Sequence, residues 1–281
     1  MKKVEQIKPL REQLSQHKRE GRSIGFVPTM GFLHEGHEKL IQTARKENDI
    51  VVISIFVNPL QFGPNEDFDA YPRDLERDLT IARNAGVDFV FVPTAGEMYP
   101  SKPSVRVAVE SRTDVLCGRS RPGHFDGVAT VLTKLFTIVQ PDRVYFGLKD
   151  AQQVAVADGL IHDFNFPLEL VPVETVREED GLAKSSRNVY LTEKERKEAP
   201  TLFKALKEGR KAVDNGEKDP SKVIDLIKRM IETETNGQID YVELYGYPSL
   251  EPVEKINGRC IIALAVRFSG ARLIDNILLD A

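Results

Sequence analysis

The run Ile50-Val-Val-Ile-Ser-Ile-Phe-Val57 restricts the fold of this chain more than any other segment, because it is rich in β-branched residues and apolar on both faces. A strand buried on both sides belongs in the interior of a parallel sheet covered by helices. The flanking segments agree. Val4, Ile7, Leu10 and Leu14 recur at near-helical spacing until Gly21, and the apolar stretch Ile24-Gly25-Phe26-Val27 follows. Further on, Asp74 to Gly86 reads as helix, Asp88 to Val92 as strand, Gly127 to Val139 as helix, Arg143 to Phe146 as strand, Ala151 to Asp163 as helix and Leu168 to Val173 as strand. Such alternation implies right-handed crossovers. Ligands of these sheets sit beyond the carboxyl ends of the strands, which directs attention to the loops after Val27, Val57, Phe146 and Val173.

Past about residue 175 the texture changes. The charged stretch Thr192-Glu-Lys-Glu-Arg-Lys-Glu opens an amphipathic helix carrying Leu202, Phe203 and Leu206, and a second helix follows Pro220. Asp240 to Leu244, Cys260 to Phe268 and Leu273 to Leu279 read as strands, with Ser269-Gly270-Ala271 as a hairpin connection. The fold expected is therefore α/β: a Rossmann-like parallel-sheet domain over 1–175 and a smaller α+β domain over 176–281, expected to act as a lid. A length of 281 residues, about twice a typical domain, accommodates that division.

Charge and cysteine usage narrow the partners. With 39 basic and 43 acidic residues the formal charge is -4, so there is no excess positive potential to hold a nucleic acid. Any anion bound should be small. Cys117 and Cys260 lie far apart without His or Cys at ligand spacing, which supports neither a zinc cluster nor a disulfide framework. No apolar run is long enough to span a bilayer and no signal-like segment follows Met1, so the chain reads as a cytoplasmic protein without membrane partners.

Four loops carry residues suited to chemistry. The first, Pro28-Thr-Met-Gly-Phe-Leu-His34-Glu-Gly-His37, lies between a strand and a helix, where unpaired N–H groups attract phosphate. His34 and His37 would face that anion, and Gly36 would admit it to the backbone. Neither the dinucleotide fingerprint nor the phosphate-loop pattern is present, and the spacing departs from the zinc-protease motif. After the central strand, Asn58 and Gln61 offer uncharged amides for a small polar substrate, although Asn, Pro and Gly also make ordinary turns. In Phe146-Gly147-Leu148-Lys149-Asp150-Ala-Gln-Gln153, Gly147 permits close approach, Lys149 neutralises phosphate and Asp150 either accepts from ribose hydroxyls or caps the next helix. The fourth, Gly181-Leu-Ala-Lys184-Ser185-Ser186-Arg187-Asn188, reads as a mobile anion clamp or as a solvated linker. The segment Arg119 to Gly127 faces substrate or another subunit, or is a basic loop without a role. His17 and His162 read as surface residues.

Taken together, Pro28 to His37, Phe56 to Gly63, Arg121 to Val128, Tyr145 to Gln153 and Asp180 to Asn188 closely resemble the pantothenate synthetase (pantoate–β-alanine ligase) family of the nucleotidyltransferase superfamily. The resemblance covers about Ile24 to Leu191, and the closing Ala271-Arg-Leu-Ile-Asp-Asn276 is also similar. It implies that ATP adenylylates (R)-pantoate and that β-alanine then displaces AMP. A carboxylate is already a competent nucleophile, so such a site needs positioning and positive charge rather than a Ser or Cys nucleophile. The match places Met30, Gly31, Phe32, Leu33, His34, Glu35, Gly36 and His37 along ATP, with His37 as proton donor. Gly147, Leu148, Lys149, Asp150, Val176, Lys184, Ser185, Ser186 and Arg187 complete the nucleotide site. Catalysis falls to His34, His37, Lys149 and Arg187, while Gln61, Gln153 and Asn58 meet pantoate and β-alanine.

Mg2+ on the phosphates and a homodimer are further implications of the resemblance. Where some relatives have an acidic pair after Tyr-Pro-Arg, this chain has Arg77 beside Asp78, and no protein ligand is assigned to the metal. Lys184 stands where many relatives carry an apolar residue, adding one cation to the clamp. Two rival readings are another adenylyltransferase of the superfamily, which would need more cations for a second phosphate, and a non-catalytic ATP-binding sensor.

Overall fold

Parallel pairing organises the first half of the chain in the computed structural model, which describes residues 1–63, 68, 69 and 71–281. Residues 64–66, the tail of the Asn58 loop, lie outside the described residues. The elements in order are β1 (Lys2–Val4), α1 (Ile7–Arg19), β2 (Ile24–Thr29), α2 (Glu35–Glu47), β3 (Ile50–Ile55), α3 (Leu75–Asn84), β4 (Phe89–Phe91), α4 (Ala95–Met98), α5 (His124–Val139), β5 (Arg143–Gly147), α6 (Ala151–Asp163) and β6 (Glu169–Val173). Then follow α7 (Glu193–Glu198), α8 (Thr201–Asp214), α9 (Pro220–Glu234), β7 (Gln238–Gly246), β8 (Arg259–Arg267) and β9 (Arg272–Asp280). The chain divides into two compact units, one of residues 1–113, 118–147 and 156–173, the other of residues 114–117, 148–155 and 174–281.

The first unit is a six-stranded parallel sheet ordered β1-β4-β3-β2-β5-β6. β3 lies inside it, and five of its six residues are buried, as its two-faced apolar pattern requires. The direction of strand addition reverses between β2 and β5, and the crevice at such a switch point is where open α/β sheets bind ligands. The loop after β2 therefore begins in that crevice, and Gly147 ends β5 there. One helical expectation changes: Val4 is the end of an edge strand, pairing with Phe91, while α1 begins at Ile7. Val4 fits a helical period only by coincidence, because apolar residues spaced three or four apart look alike on a helix and beside one.

The second unit is built on the antiparallel sheet β7-β8-β9. All seven residues from Cys260 to Val266 in β8 are buried, and alternation sends them to two cores. Cys260, Ile262, Leu264 and Val266 pack with Leu202, Leu206 and Ile227 of α8 and α9. Ile261, Ala263 and Ala265 pack instead with Val115, Leu116, Ala151 and Ala155. Two short excursions of the chain thus cover the second face of this sheet, which explains why residues 114–117 and 148–155 belong to the later unit. No helix among the described residues is long and apolar enough to cross a membrane.

Candidate active site

β2 ends at Thr29, whose hydroxyl donates to the Ser54 carbonyl at 2.6 Å and accepts the Gly31 N–H at 3.2 Å. Gly31 and Phe32 then turn in the left-handed region, at φ +88° and +52°. A Cβ on Gly31 would stand 2.9 Å from both Asp78 Oδ2 and Ile55 Cγ2, so the turn admits only glycine there without displacement. The turn aims two successive N–H groups at one carboxylate: Phe32 and Leu33 donate to Asp78 at 2.8 and 2.7 Å. Asp78 is 1% exposed, and burial pushes its carboxyl above the usual 3.8 against these two bonds, which hold it down. Arg77 packs over the Phe32 ring, and the Leu33 side chain is fully buried in the core. The sequence reading sets Phe32 and Leu33 along ATP; their N–H groups are committed to Asp78 and serve to shape the turn.

The histidines cap their own helix. His34 Nδ1 accepts from the Gly36 N–H at 3.1 Å, and His37 Nδ1 accepts from the His34 N–H at 3.3 Å, a reciprocal capping box. A ring nitrogen that accepts carries no hydrogen, so each neutral imidazole holds its proton on Nε2. The rings lie 4.2 Å apart between centroids. This alters the expectation of a bare helix N-terminus with open N–H groups: the Gly36 amide is taken by His34, and each ring carries its hydrogen on Nε2. Gly36 has a different task as well, since a Cβ there would fall 2.8 Å from His34 Cε1. The glycine makes room for the His34 ring.

Gln61 sits in the turn Pro59–Gln61, 8% exposed, donating to the Met30 sulfur at 3.1 Å. Asn58 is 1% exposed and fully engaged: its amide donates to Gln61 Oε1 and the Gly127 carbonyl, while its oxygen accepts from Leu60 N–H and the Tyr99 hydroxyl. The expectation that Asn58 meets substrate gives way to one in which it holds Gln61. The segment from Arg119 to Gly127 also supports that turn. His124, 9% exposed, opens α5 and bonds the Gln61 carbonyl through Nδ1 at 2.8 Å, so Nδ1 bears the hydrogen and Nε2 accepts from Arg121 at 2.9 Å. Gly127 presses on the same turn, where a Cβ would lie 2.2 Å from the Leu60 carbonyl oxygen and 2.6 Å from Gln61 Cα. A glycine inside an otherwise helical pattern is the sequence signal available for this contact.

In the second unit Lys149, Ser185, Arg187, Asn188, Arg272 and Asp275 line one cleft. Ser185 caps the turn Ser186–Tyr190 by accepting the Arg187 N–H at 3.2 Å. The Arg187 side chain is exposed. Lys184 N–H donates to the Val176 carbonyl at 2.9 Å, closing a short hairpin in which Arg177 bridges Ala183. The Lys184 ammonium lies 3.0 Å from the Glu178 carboxylate, so the cation expected to strengthen the clamp is balanced within its own hairpin. Leu148 to Asp150 form a single turn ahead of α6, with Asp150 exposed and Gln153 half-buried. Gln152 points elsewhere, donating to the Val115 carbonyl. Among the described residues, its chain neighbours aside, no atom comes within 4 Å of a Cβ built on Gly147, which leaves open space at the end of β5.

Among the described residues no group of three or more His, Cys, Asp or Glu could hold a metal ion. His162 is at the surface, while His17 packs edge-on against Phe89.

A model of the pantoate-beta-alanine ligase family matches residues 2–278. The pantothenate synthetase of Bacillus subtilis strain 168 is 66% identical over 280 residues, covering 100% of this chain and 98% of the relative. That of Geobacillus sp. strain WCH70 is 64% identical over 274 residues, 98% of this chain and 97% of the relative. A crystal structure of pantothenate synthetase from Thermus thermophilus superimposes with a TM-score of 0.91 at 46% identity, covering 99% of both chains. The pantoate-beta-alanine ligase from Francisella tularensis, crystallised with beta-gamma ATP and beta-alanine, gives 0.79 at 34% identity over 99% of this chain and 97% of that one.

Proposed function

Because the chain belongs to the pantoate-beta-alanine ligase family, we propose that it joins (R)-pantoate to β-alanine using ATP, through a pantoyl adenylate, with release of pyrophosphate and AMP. The observation that carries this reading is the paired imidazoles at the switch point of the sheet, each with its proton on Nε2. They donate hydrogen bonds to phosphate oxygens without bringing a fixed charge, and His37 stabilises the departing pyrophosphate in this way rather than by giving up its only ring proton, which would leave an imidazolate. The relative from Francisella tularensis, crystallised with beta-gamma ATP and beta-alanine, lends support.

The first step is attack by a pantoate carboxylate oxygen on the α-phosphorus, with the bond to pyrophosphate breaking. The amine of β-alanine then attacks the acyl carbon, AMP leaves and the amide forms. Neither step needs a protein nucleophile, and both depend on positioning and on charge placed where it develops. Gln61 and Gln153 orient pantoate, with Gln61 also meeting β-alanine; Asn58 acts through Gln61. Lys149 and Arg187 offset phosphate charge, and Ser185 and Ser186 contribute hydroxyls. Gly147, Leu148, Asp150 and Val176 border the nucleotide.

Magnesium enters as part of the Mg–ATP substrate, since the buried acid beside the histidine turn, Asp78, already accepts two backbone N–H groups. The homodimer implied by the resemblance belongs to the same reading.

The test is direct. Protein mixed with Mg–ATP and pantoate should release pyrophosphate, and AMP should accumulate when β-alanine is added; neither product appearing would sink the ligase reading. His37→Ala should lower pyrophosphate release by about 10²–10³-fold, the range for a lost hydrogen-bond donor to developing oxyanion charge. Its stability should fall by no more than about 2 kcal/mol, the upper range for a lost cap. An unchanged rate would remove His37 from the chemistry.

A further inference from the structure

The run Ala271-Arg-Leu-Ile-Asp-Asn276 accompanies the family motifs, yet none of the roles above uses it. It opens β9, where successive side chains leave on opposite faces of the sheet. Leu273, Ile277 and Leu279 join the core under α8 and α9, while Ile274 and Leu278 pack on the core formed with Ala151 and Ala155. Asp275 therefore faces one layer and Asn276 the other. Each reaches a different loop.

Asn276 is 8% exposed, and its amide gives one N–H to the Leu148 carbonyl at 2.8 Å and one to the Lys149 carbonyl at 3.0 Å. Two consecutive carbonyls held by one rigid amide fix the peptide plane between them, and with it the direction in which the Lys149 side chain departs. Asp275, 4% exposed, takes a two-pronged grip on Arg177 at 2.7 and 2.9 Å and accepts the Asn276 N–H at 2.8 Å. The same guanidinium donates to the Gly181 carbonyl at 3.1 Å and lies 3.5 Å above the Phe203 ring. It thus secures the hairpin that leads into Ser185 and Arg187.

We propose that Asp275 and Asn276 are positioning residues for the phosphate-handling loops of the second unit, Asn276 setting Lys149 and Asp275, through Arg177, setting Ser185 and Arg187. The kinetic form of the proposal rests on the ligase reading. The chemistry is specific to these side chains, because an aspartate at 276 has the shape of asparagine but turns acceptors toward two carbonyl oxygens.

Asn276→Asp should reduce pyrophosphate release from Mg–ATP and pantoate by about 10²-fold, the scale of an ångström-sized misplacement. In a Lys149→Ala background the same change should cost less than about threefold, since groups acting as a unit are non-additive. Asp275→Asn should behave likewise against Arg187→Ala. Equal losses in both backgrounds, or full activity of the single variants, would overturn the proposal, because a purely structural role lowers activity regardless of Lys149 or Arg187. Backbone hydrogen exchange on the full chain gives a readout independent of turnover: Asn276→Asp should speed exchange across 148–152 and Asp275→Asn across 177–188. Unchanged protection in both would also overturn it. A wild-type chain without ligase turnover, combined with faster exchange in the variants, would retire the ligase reading and leave the anchoring standing.

Discussion

The histidine turn of the first unit and the cationic loops of the second reach order by opposite routes. In the turn from Thr29 to His37, three bonds join residues only two or three apart: Thr29 to Gly31, His34 to Gly36, His34 to His37. Braces from Ser54, Gln61 and Asp78, 25 to 46 residues away, complete it. In the second unit the decisive bonds cross 98 to 128 residues, from Asp275 to Arg177 and from Asn276 to Lys149 and Leu148. The lesson is one of independence. A turn closed by its neighbours keeps its shape whenever its strand is in place, whereas loops tied to β9 hold their cations in position only once the second sheet has assembled.

The contrast can be strained first at Gln61, whose turn belongs to the first unit but leans on remote α5. Gly127→Ala would drive a methyl into the Leu60 carbonyl, and on the proposed ligase reading about 10²-fold of kcat/KM should be lost, mostly as a higher KM for pantoate. Steady-state kinetics measure this, and a normal KM would show that the turn tolerates displacement. Stability should fall by about 1–3 kcal/mol, as in other overpacked cores.

A smaller effect is expected at Asp78, which holds two backbone N–H groups of the histidine turn. Asp78→Asn keeps one acceptor and sets an NH₂ against the other backbone N–H, which should destabilise the protein by about 1–3 kcal/mol in denaturant unfolding. Unaltered stability would mean that the turn does not need Asp78, sharpening the contrast with the second unit.

The mildest test concerns acid. Glu195, three residues into the capping box of α7, accepts from the Thr192 N–H, the Ser269 N–H and the Thr192 hydroxyl, and these bonds hold its carboxyl down at about 2 instead of the usual 4.5. A depressed carboxyl contributes stability that is fully present above 4.5 and disappears as pH falls toward 2. Between pH 5 and pH 3, denaturation midpoints should therefore drop for the wild type and change less for Glu195→Gln. Parallel drops would assign the acid sensitivity elsewhere.

Much of the first unit was legible in the residues. The β-branched run at Ile50 placed a strand inside a parallel sheet, and the strand–helix alternation located the loops that matter, because burial on two faces and helical periodicity are local signals. His34, His37, Gln61, Lys149 and Arg187 stood out because their residue types fit phosphate and amide chemistry. Asn58 did too, but residue type alone does not say which groups a side chain already bonds. Val4 reads as helix for a related reason: a strand of three residues carries too little pattern to oppose a nearby helix.

What only the tertiary structure decided are the relations between distant residues. Composition and spacing set the elements, the loops and the kinds of ligand they suit. They could not reveal that residues 114–117 and 148–155 cover the second sheet, that Asp78 occupies the histidine turn, or that Asn276 holds Lys149. Nor could they assign the imidazole tautomers. Each of these depends on where a side chain points once the chain has folded, and hydrogen bonds spanning tens to more than a hundred residues leave no periodic trace in the sequence.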